Sequence, residues 1–232
     1  MCEVAHELEA SDLRASIGWY ERGAPEATDD GVCLRRLGVL RLTGKASEAG
    51  GPDYAGAVVA FAAAACRLER SDNGGEPVCK RGDADAAYNL GRMLEWRQLS
   101  PFEGGAEALR SHLEAVAPGS TRLTGSVGEW EDAAATHFYA LSADRGLVLG
   151  RSHLARKLVE RGELVAACSH YTLAAEAGDA DSAWEVARML QKGRGCRRNV
   201  SAAAHWLVKA MDAGHPGAQA LFFDPPAFRT PG

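Results

Sequence analysis

Aromatic side chains make up only 7% of the chain although 46% of it is hydrophobic, so alanine carries much of the apolar content. Many small apolar residues and few rings suit closely packed helices, because small side chains let helix axes approach. Long apolar runs are missing. The stretch "AVVAFAAAAC" (57–66) falls well short of the roughly 20 residues a membrane-spanning helix needs. Positive charge is not in excess either: 26 Lys and Arg against 31 Asp and Glu leave a net charge of −5. A global basic footprint for nucleic acid is therefore absent, and no nucleic-acid partner is expected. The opening "MCEVAHELEASDLR" has no apolar signal-peptide core. These absences predict a soluble, cytoplasmic chain with no membrane span, long enough for one large domain or a repeat array.

The six cysteines (Cys2, Cys33, Cys66, Cys79, Cys168, Cys196) form no C-x-x-C pair and keep no constant spacing. They read as free and mostly buried thiols rather than a disulfide framework or zinc site. Cys168 and His170 are two residues apart, which on a helix points them in different directions. Catalytic signatures are missing as well: no G-x-S-x-G, P-loop, H-E-x-x-H or dinucleotide fingerprint occurs. Gly193-Arg194-Gly195 has no preceding strand to make it a phosphate loop. The seven histidines are scattered; His205 adjoins a Trp, His215 opens a helix, and both read as solvated or locally bonded. No cofactor, metal or enzymatic activity is expected.

What the chain does have is repetition. Around Ala167 a pattern runs Ala167, Tyr171, Ala174, Ala175, Gly178, Ser182, Val186, Ala187, Leu190. Upstream it reads Ala135, Tyr139, Ser142, Ala143, Gly146, Gly150, Leu154, Ala155, Leu158, and downstream Ala203, Leu207, Ala210, Met211, Gly214, Ala218, Phe222. Earlier copies are Ala57, Phe61, Ala64 and Ala65, followed by Gly82, Ala86, Leu90, Gly91 and Leu94; the most degenerate is Cys33, Leu37, Gly38, Gly44. Small residues at the Ala-Ala and Leu-Gly positions permit close helix approach, while Tyr, Phe or Leu fills the groove between. Gly178 and Gly214 sit where helices must end in a left-handed residue. Pro216 suits a first helical turn, and Asn199 suits an N-cap. The repeated unit is a helical hairpin.

The segments "GDADAAYNLGRML" (82–94) and "GRGCRRNVSAAAHWLVKAMDAGHPGAQ" (193–219) resemble the Sel-one-like repeats, relatives of the tetratricopeptide repeats. Gly193, Gly195, Asn199, Ala203, Trp206, Ala210 and Gly214 fall on that family's positions, with Asn199 replacing the usual Asp and Met211 the second Ala. The match is strong over 130–222, clear over 82–95 and degenerate over 31–66. The resemblance implies an all-α solenoid of about five antiparallel helical hairpins. Some cysteine-rich bacterial members of the family are associated with β-lactam binding or hydrolysis, but the Cys pair they carry in every repeat is absent here.

The expected organisation is an N-terminal capping helix or helices (1–30), a solenoid (31–222) and a proline-containing tail (223–232). Two insertions break the period. Residues 69–81 read as a loop, and 99–129 as an interruption holding one short helix with Ala106, Leu109, Leu113 and Val116 on one face. Both are taken as decoration. "DPPAFRTPG" cannot continue a helix, so the last one ends near Phe223, and beyond it either Phe228 folds back as an improvised cap or the tail is disordered. Asn199-Val200-Ser201 is a glycosylation sequon only if the chain enters a secretory lumen, as an endoplasmic-reticulum adaptor lacking its leader would.

A solenoid without catalytic chemistry is expected to be an interaction scaffold for other proteins. The alternative is a structural subunit of a large assembly, contacting RNA or lipid there, suggested by the Ala-rich face of 57–66 and the aromatic tail. Counting from the glycine before each first helix, offset 10 holds Arg92, Arg156 and Arg188, and offset 6 holds Tyr88 and Trp184. These five residues are the expected partner-binding ladder. Arginine pairs carboxylates in bidentate fashion, which points to acidic or C-terminal peptide segments as ligands.

Overall fold

The computed structural model describes residues 2–23, 31–46, 51–69, 78–96, 105–117 and 127–223. It divides into two compact units, Met1–Arg145 and Gly146–Gly232. The first contains α1 (Cys2–Leu8), α2 (Leu13–Gly23), α3 (Val32–Leu42), α4 (Tyr54–Ala65), β1 (Arg67–Glu69), β2 (Val78–Arg81), α5 (Ala84–Glu95), α6 (Gly105–Val116) and α7 (Val127–Asp144). The second contains α8 (Val148–Glu160), α9 (Leu164–Glu176), α10 (Ala180–Lys192), α11 (Val200–Asp212) and α12 (Pro216–Phe223). The hairpins are α1/α2, α3/α4, α5/α7, α8/α9 and α10/α11, so the all-α hairpin architecture expected from the repeat is present. Phe228 lies outside the described residues.

Repeat chemistry explains the packing. A Cβ on Gly38 of α3 would stand 2.7 Å from the Phe61 ring of α4, and one on Gly91 of α5 would stand 2.9 Å from the Tyr139 ring of α7. The small position of one helix thus receives the large ring of its hairpin partner, twice over. Helix starts are fixed by side-chain caps: Asp53 accepts from Gly56 N, Asp83 from Ala86 N, Asp179 from Ser182 N and Asn199 from Ala202 N. At the end of α9, Gly178 has φ 96°; its N–H donates to Ala175 O, and the Asp179 N–H donates back to Ala174 O. This paired closure is the left-handed helix stop predicted for that glycine.

Three expectations need correction. First, α4 is not an exposed Ala-rich face: Ala57, Val58, Ala60, Phe61, Ala62, Ala64 and Ala65 are all buried. Neighbouring helices α3 and α5 pack against α4, and α6 adds a further contact. Second, the insertion read as a loop has its flanks zipped into an antiparallel ribbon, β1 with β2, pairing Leu68 with Cys79 and Glu69 with Val78. Third, the cysteines are not all free. Cys66 is bonded to Cys79 with their Cα atoms 5.2 Å apart, and Cys33 is also disulfide-bonded. The ribbon folds Cys79 back onto the end of α4, a proximity set by hairpin length that no Cys-spacing motif encodes.

The N-terminal region folds as two helices, α1 and α2, joined to the next hairpin through a shared core. Ala5, Tyr20, Cys33, Leu37, Leu40 and Ala60 form one core cluster, joining α1 and α2 to α3 and α4. Ser16 Oγ donates to Ala5 O at 2.7 Å across the hairpin. Arg36 of α3 donates twice to the Glu9 carboxylate, once at 2.7 Å through Nε. The Arg36 pairing holds the Glu9 carboxyl below its ordinary range.

Candidate interaction groove

In the second unit, α8 and α10 are the first helices of successive hairpins, so equivalent positions fall side by side. A groove of about 430 Å³ results, lined by Ser152, His153 and Arg156 of α8, Tyr171 of α9, Asp181, Trp184 and Glu185 of α10, and His215 just before α12. Arg188 lies along the same helix and lines a smaller depression of about 50 Å³ with Val159, Leu164, Met189, Lys192 and Arg194. Glu185 borders both hollows.

Each groove wall has a definite partner. The His215 ring stacks on the Trp184 indole with centroids 4.8 Å apart and planes 19° from parallel. Ala218 N–H donates to His215 Nδ1 at 3.1 Å, so the neutral ring carries its proton on Nε2, which faces Asp181 Oδ1 at 3.6 Å. One side chain therefore caps α12 and braces the Trp. Arg156 donates to Glu160 at 3.1 Å and lies 3.2 Å from His153 Nδ1, while Arg188 donates to Glu185 at 2.8 Å. Both arginine pairs are exposed, one within α8 and the other within α10. Tyr171 forms the buried floor; burial first, then the nearby Glu185 charge, pushes its hydroxyl up to about 12, with Arg156 opposing. Among the described residues no group of three His, Cys, Asp or Glu is placed to hold a metal ion.

The five predicted ladder residues divide between the units. Arg156, Trp184 and Arg188 fall in the second, on or beside the groove. Tyr88 and Arg92 fall in the first, and there Tyr88 must be withdrawn as a contact residue. It is 8% exposed, with its ring 6.0 Å from that of Tyr139; the ring faces the partner helix rather than solvent. The Arg92 guanidinium sits 4.0 Å from the centroid of the exposed Trp96 ring and 5.7 Å from that of Tyr88. Glu95, its neighbour on the helix, accepts from the Tyr139 hydroxyl at 2.8 Å. Sequence reasoning missed His153, Asp181 and His215 as groove residues. Their signal is only the repeat register, since residues facing each other across two first helices have no fixed local spacing.

No protein-family model matches the chain, and no curated protein matches it. Among solved structures, the chain is similar to a Sel1 repeat protein from Oxalobacter formigenes at 15% identity, covering 93% of this chain and 70% of that one, with a TM-score of 0.58. A second similarity is to a protective antigen of uropathogenic Escherichia coli strains displaying an SLR fold, at 19% identity, covering 94% of this chain and 46% of that one, with a TM-score of 0.46. Identity this low speaks to fold alone, and the fold is that of a Sel1-type helical repeat.

Proposed function

We propose that the chain is a non-enzymatic interaction scaffold that holds an acidic or C-terminal-carboxylate segment of a partner protein along the groove of Arg156 and Trp184 and the adjoining hollow of Arg188. The observation that carries this reading is an exposed arginine beside a braced indole in the groove, with a second exposed arginine in the adjoining hollow across Glu185. The ion pairs of Arg156 and Arg188 are exposed, and pairs of that kind contribute only about 0.2–1 kcal/mol. A ligand carboxylate offering bidentate geometry can replace them. Arg and Trp are also the residue types that dominate binding hot spots.

The test uses a fluorescein-labelled Glu-rich peptide with a free C-terminal carboxylate, beside its amidated and Gln-substituted versions, in anisotropy titrations. Saturable binding that weakens tenfold or more in a folded Arg156→Ala/Arg188→Ala double variant supports the groove. Equal binding by parent and variant, or no preference for the acidic peptide, rejects it.

A second reading, a subunit held permanently in a larger assembly, draws on exposed apolar side chains: Val165 and Leu173 of α9, Val200 and Val208 of α11. Concentration-dependent self-association of the isolated chain in size-exclusion chromatography favours that reading. No helix of the described residues is long and apolar enough to cross a membrane. The bonded Cys33, Cys66 and Cys79 support an oxidising compartment over the expected cytoplasm.

A further inference from the structure

We propose that Cys168 and Cys196 are a redox pair, which closes a disulfide in an oxidising milieu and pins the 193–199 turn to α9. Both are free thiols here, the first buried and the second half-buried. They lie in different elements, 28 positions apart in the sequence (196 − 168), yet Cys196 is near enough to Cys168 to act on its thiol electrostatically, while its own Sγ–H is aimed at Arg194 O at 3.7 Å. The turn's backbone independently brings them together: a Cβ on Gly195 would collide with the Leu164 carbonyl at the start of α9. At its two ends the turn is tied to α10, through Arg194 N–H to Met189 O and Asn199 N–H to Leu190 O, both 3.0 Å. Its middle is therefore laid directly over the helix that carries Cys168. The same chain already bonds Cys66 to Cys79 at the end of another helix.

The two thiols have unequal roles. Cys196 reaches solvent, so it meets the oxidant first. Burial, followed by the influence of Cys196, pushes the Cys168 thiol up to about 12, which keeps it protonated and leaves the first attack on the oxidant to Cys196. With oxidised glutathione as the oxidant, the Cys196 thiolate attacks one glutathione sulfur and releases the first glutathione thiolate. Cys168 then displaces the second from the mixed disulfide, giving up its proton as it attacks. Two protein thiols become one disulfide, and one glutathione disulfide becomes two glutathione thiols. Arg194, which lines the hollow beside Arg188, belongs to the pinned turn, so the redox state sets how firmly that residue is held. The pairing stands on its own geometry and does not require the groove to bind a peptide.

The experiment oxidises the purified full-length chain with glutathione disulfide, then denatures it, alkylates it and maps it by mass spectrometry without reduction. The expected result is a peptide pair joined through Cys168 and Cys196, with both sites lost to alkylation together. Trypsin cleavage at Arg194, Arg197 and Arg198, all exposed in the turn, should slow several-fold on oxidation and recover on reduction. A Cys168→Ser variant should accumulate glutathione on Cys196, whereas native Cys196→Ser should leave Cys168 unmodified. The proposal is overturned if Cys196 in the parent ends as a stable glutathione adduct while Cys168 still alkylates. It is equally overturned if both thiols survive oxidation.

Discussion

Gly91 of α5 lies directly beneath the ring of Tyr139 on α7, where an added Cβ would stand 2.9 Å from the ring edge. The ring cannot swing away freely, because its hydroxyl donates to Glu95 at 2.8 Å and the side chain is fully buried. Gly91→Ala is therefore expected to destabilise the chain through overpacking, by about 1–3 kcal/mol, despite alanine's better helix propensity. Urea denaturation followed by circular dichroism measures it. A variant as stable as the parent would show that α5 and α7 are not in close contact.

This contact also shows what was legible in the sequence. Small-against-large pairing obeys the repeat register, so Gly91 with Tyr139 and Gly38 with Phe61 could be anticipated from the aligned copies. Helix stops at Gly178 and Gly214 were legible for the same reason: the chemistry is local. The ribbon and its Cys66–Cys79 bond were not, since they depend on how an insertion without repeat register folds back. Tyr88 failed for a different reason. A face assigned by angular offset alone ignores that a ring at the stripe's edge turns toward the partner helix.

The Cys66–Cys79 bond closes a short loop, 13 residues in sequence separation, at the junction of α4 and the ribbon. Arg145 donates to the Ala65 carbonyl beside it at 2.7 Å, so the end of α7 leans on the same corner. By chain entropy, a loop of about 15 residues contributes about 3 kcal/mol. A Cys66→Ser/Cys79→Ser variant should lower the stability of the first unit by up to that amount and leave the second unchanged. Amide hydrogen exchange resolved by peptide distinguishes the two units. Uniformly faster exchange in α9 and α10 would contradict this assignment.

His137 of α7 gives the chain an acid-sensitive core. Burial lowers its pKa from the ordinary 6.5, with Arg145 adding to the effect and Glu114 opposing it; burial lowers His112 of α6 in the same direction. The unfolded chain then binds protons that the native chain refuses. Stability is complete above about pH 6.5 and falls as the pH drops below it, by at most about 1.4 kcal/mol per pH unit for each such group. Glu9, held low by Arg36, loses its contribution in a separate and more acid window, below the ordinary 4.5. Urea midpoints measured from neutral pH to pH 5 should decline for the parent and decline less for His137→Gln. An identical slope in the two proteins would remove His137 as the cause.

His215 performs two tasks that different substitutions can separate. Its Nδ1 accepts the Ala218 N–H at the start of α12, and its ring braces Trp184 in the groove. Asn is among the best capping residues, so His215→Asn should keep the cap while removing the stacked ring. His215→Ala removes both. The alanine variant is expected to lose about 1 kcal/mol of local stability in α12, seen as faster amide exchange there, with the asparagine variant close to the parent. If the braced indole is what the groove offers a ligand, both variants should weaken binding of the acidic peptide to a similar extent. The reason is that an unbraced Trp184 must be ordered on association, at a cost of about 0.5–1.5 kcal/mol. Parent-like affinity in His215→Asn would mean that the arginines, and not the stacked pair, hold the peptide.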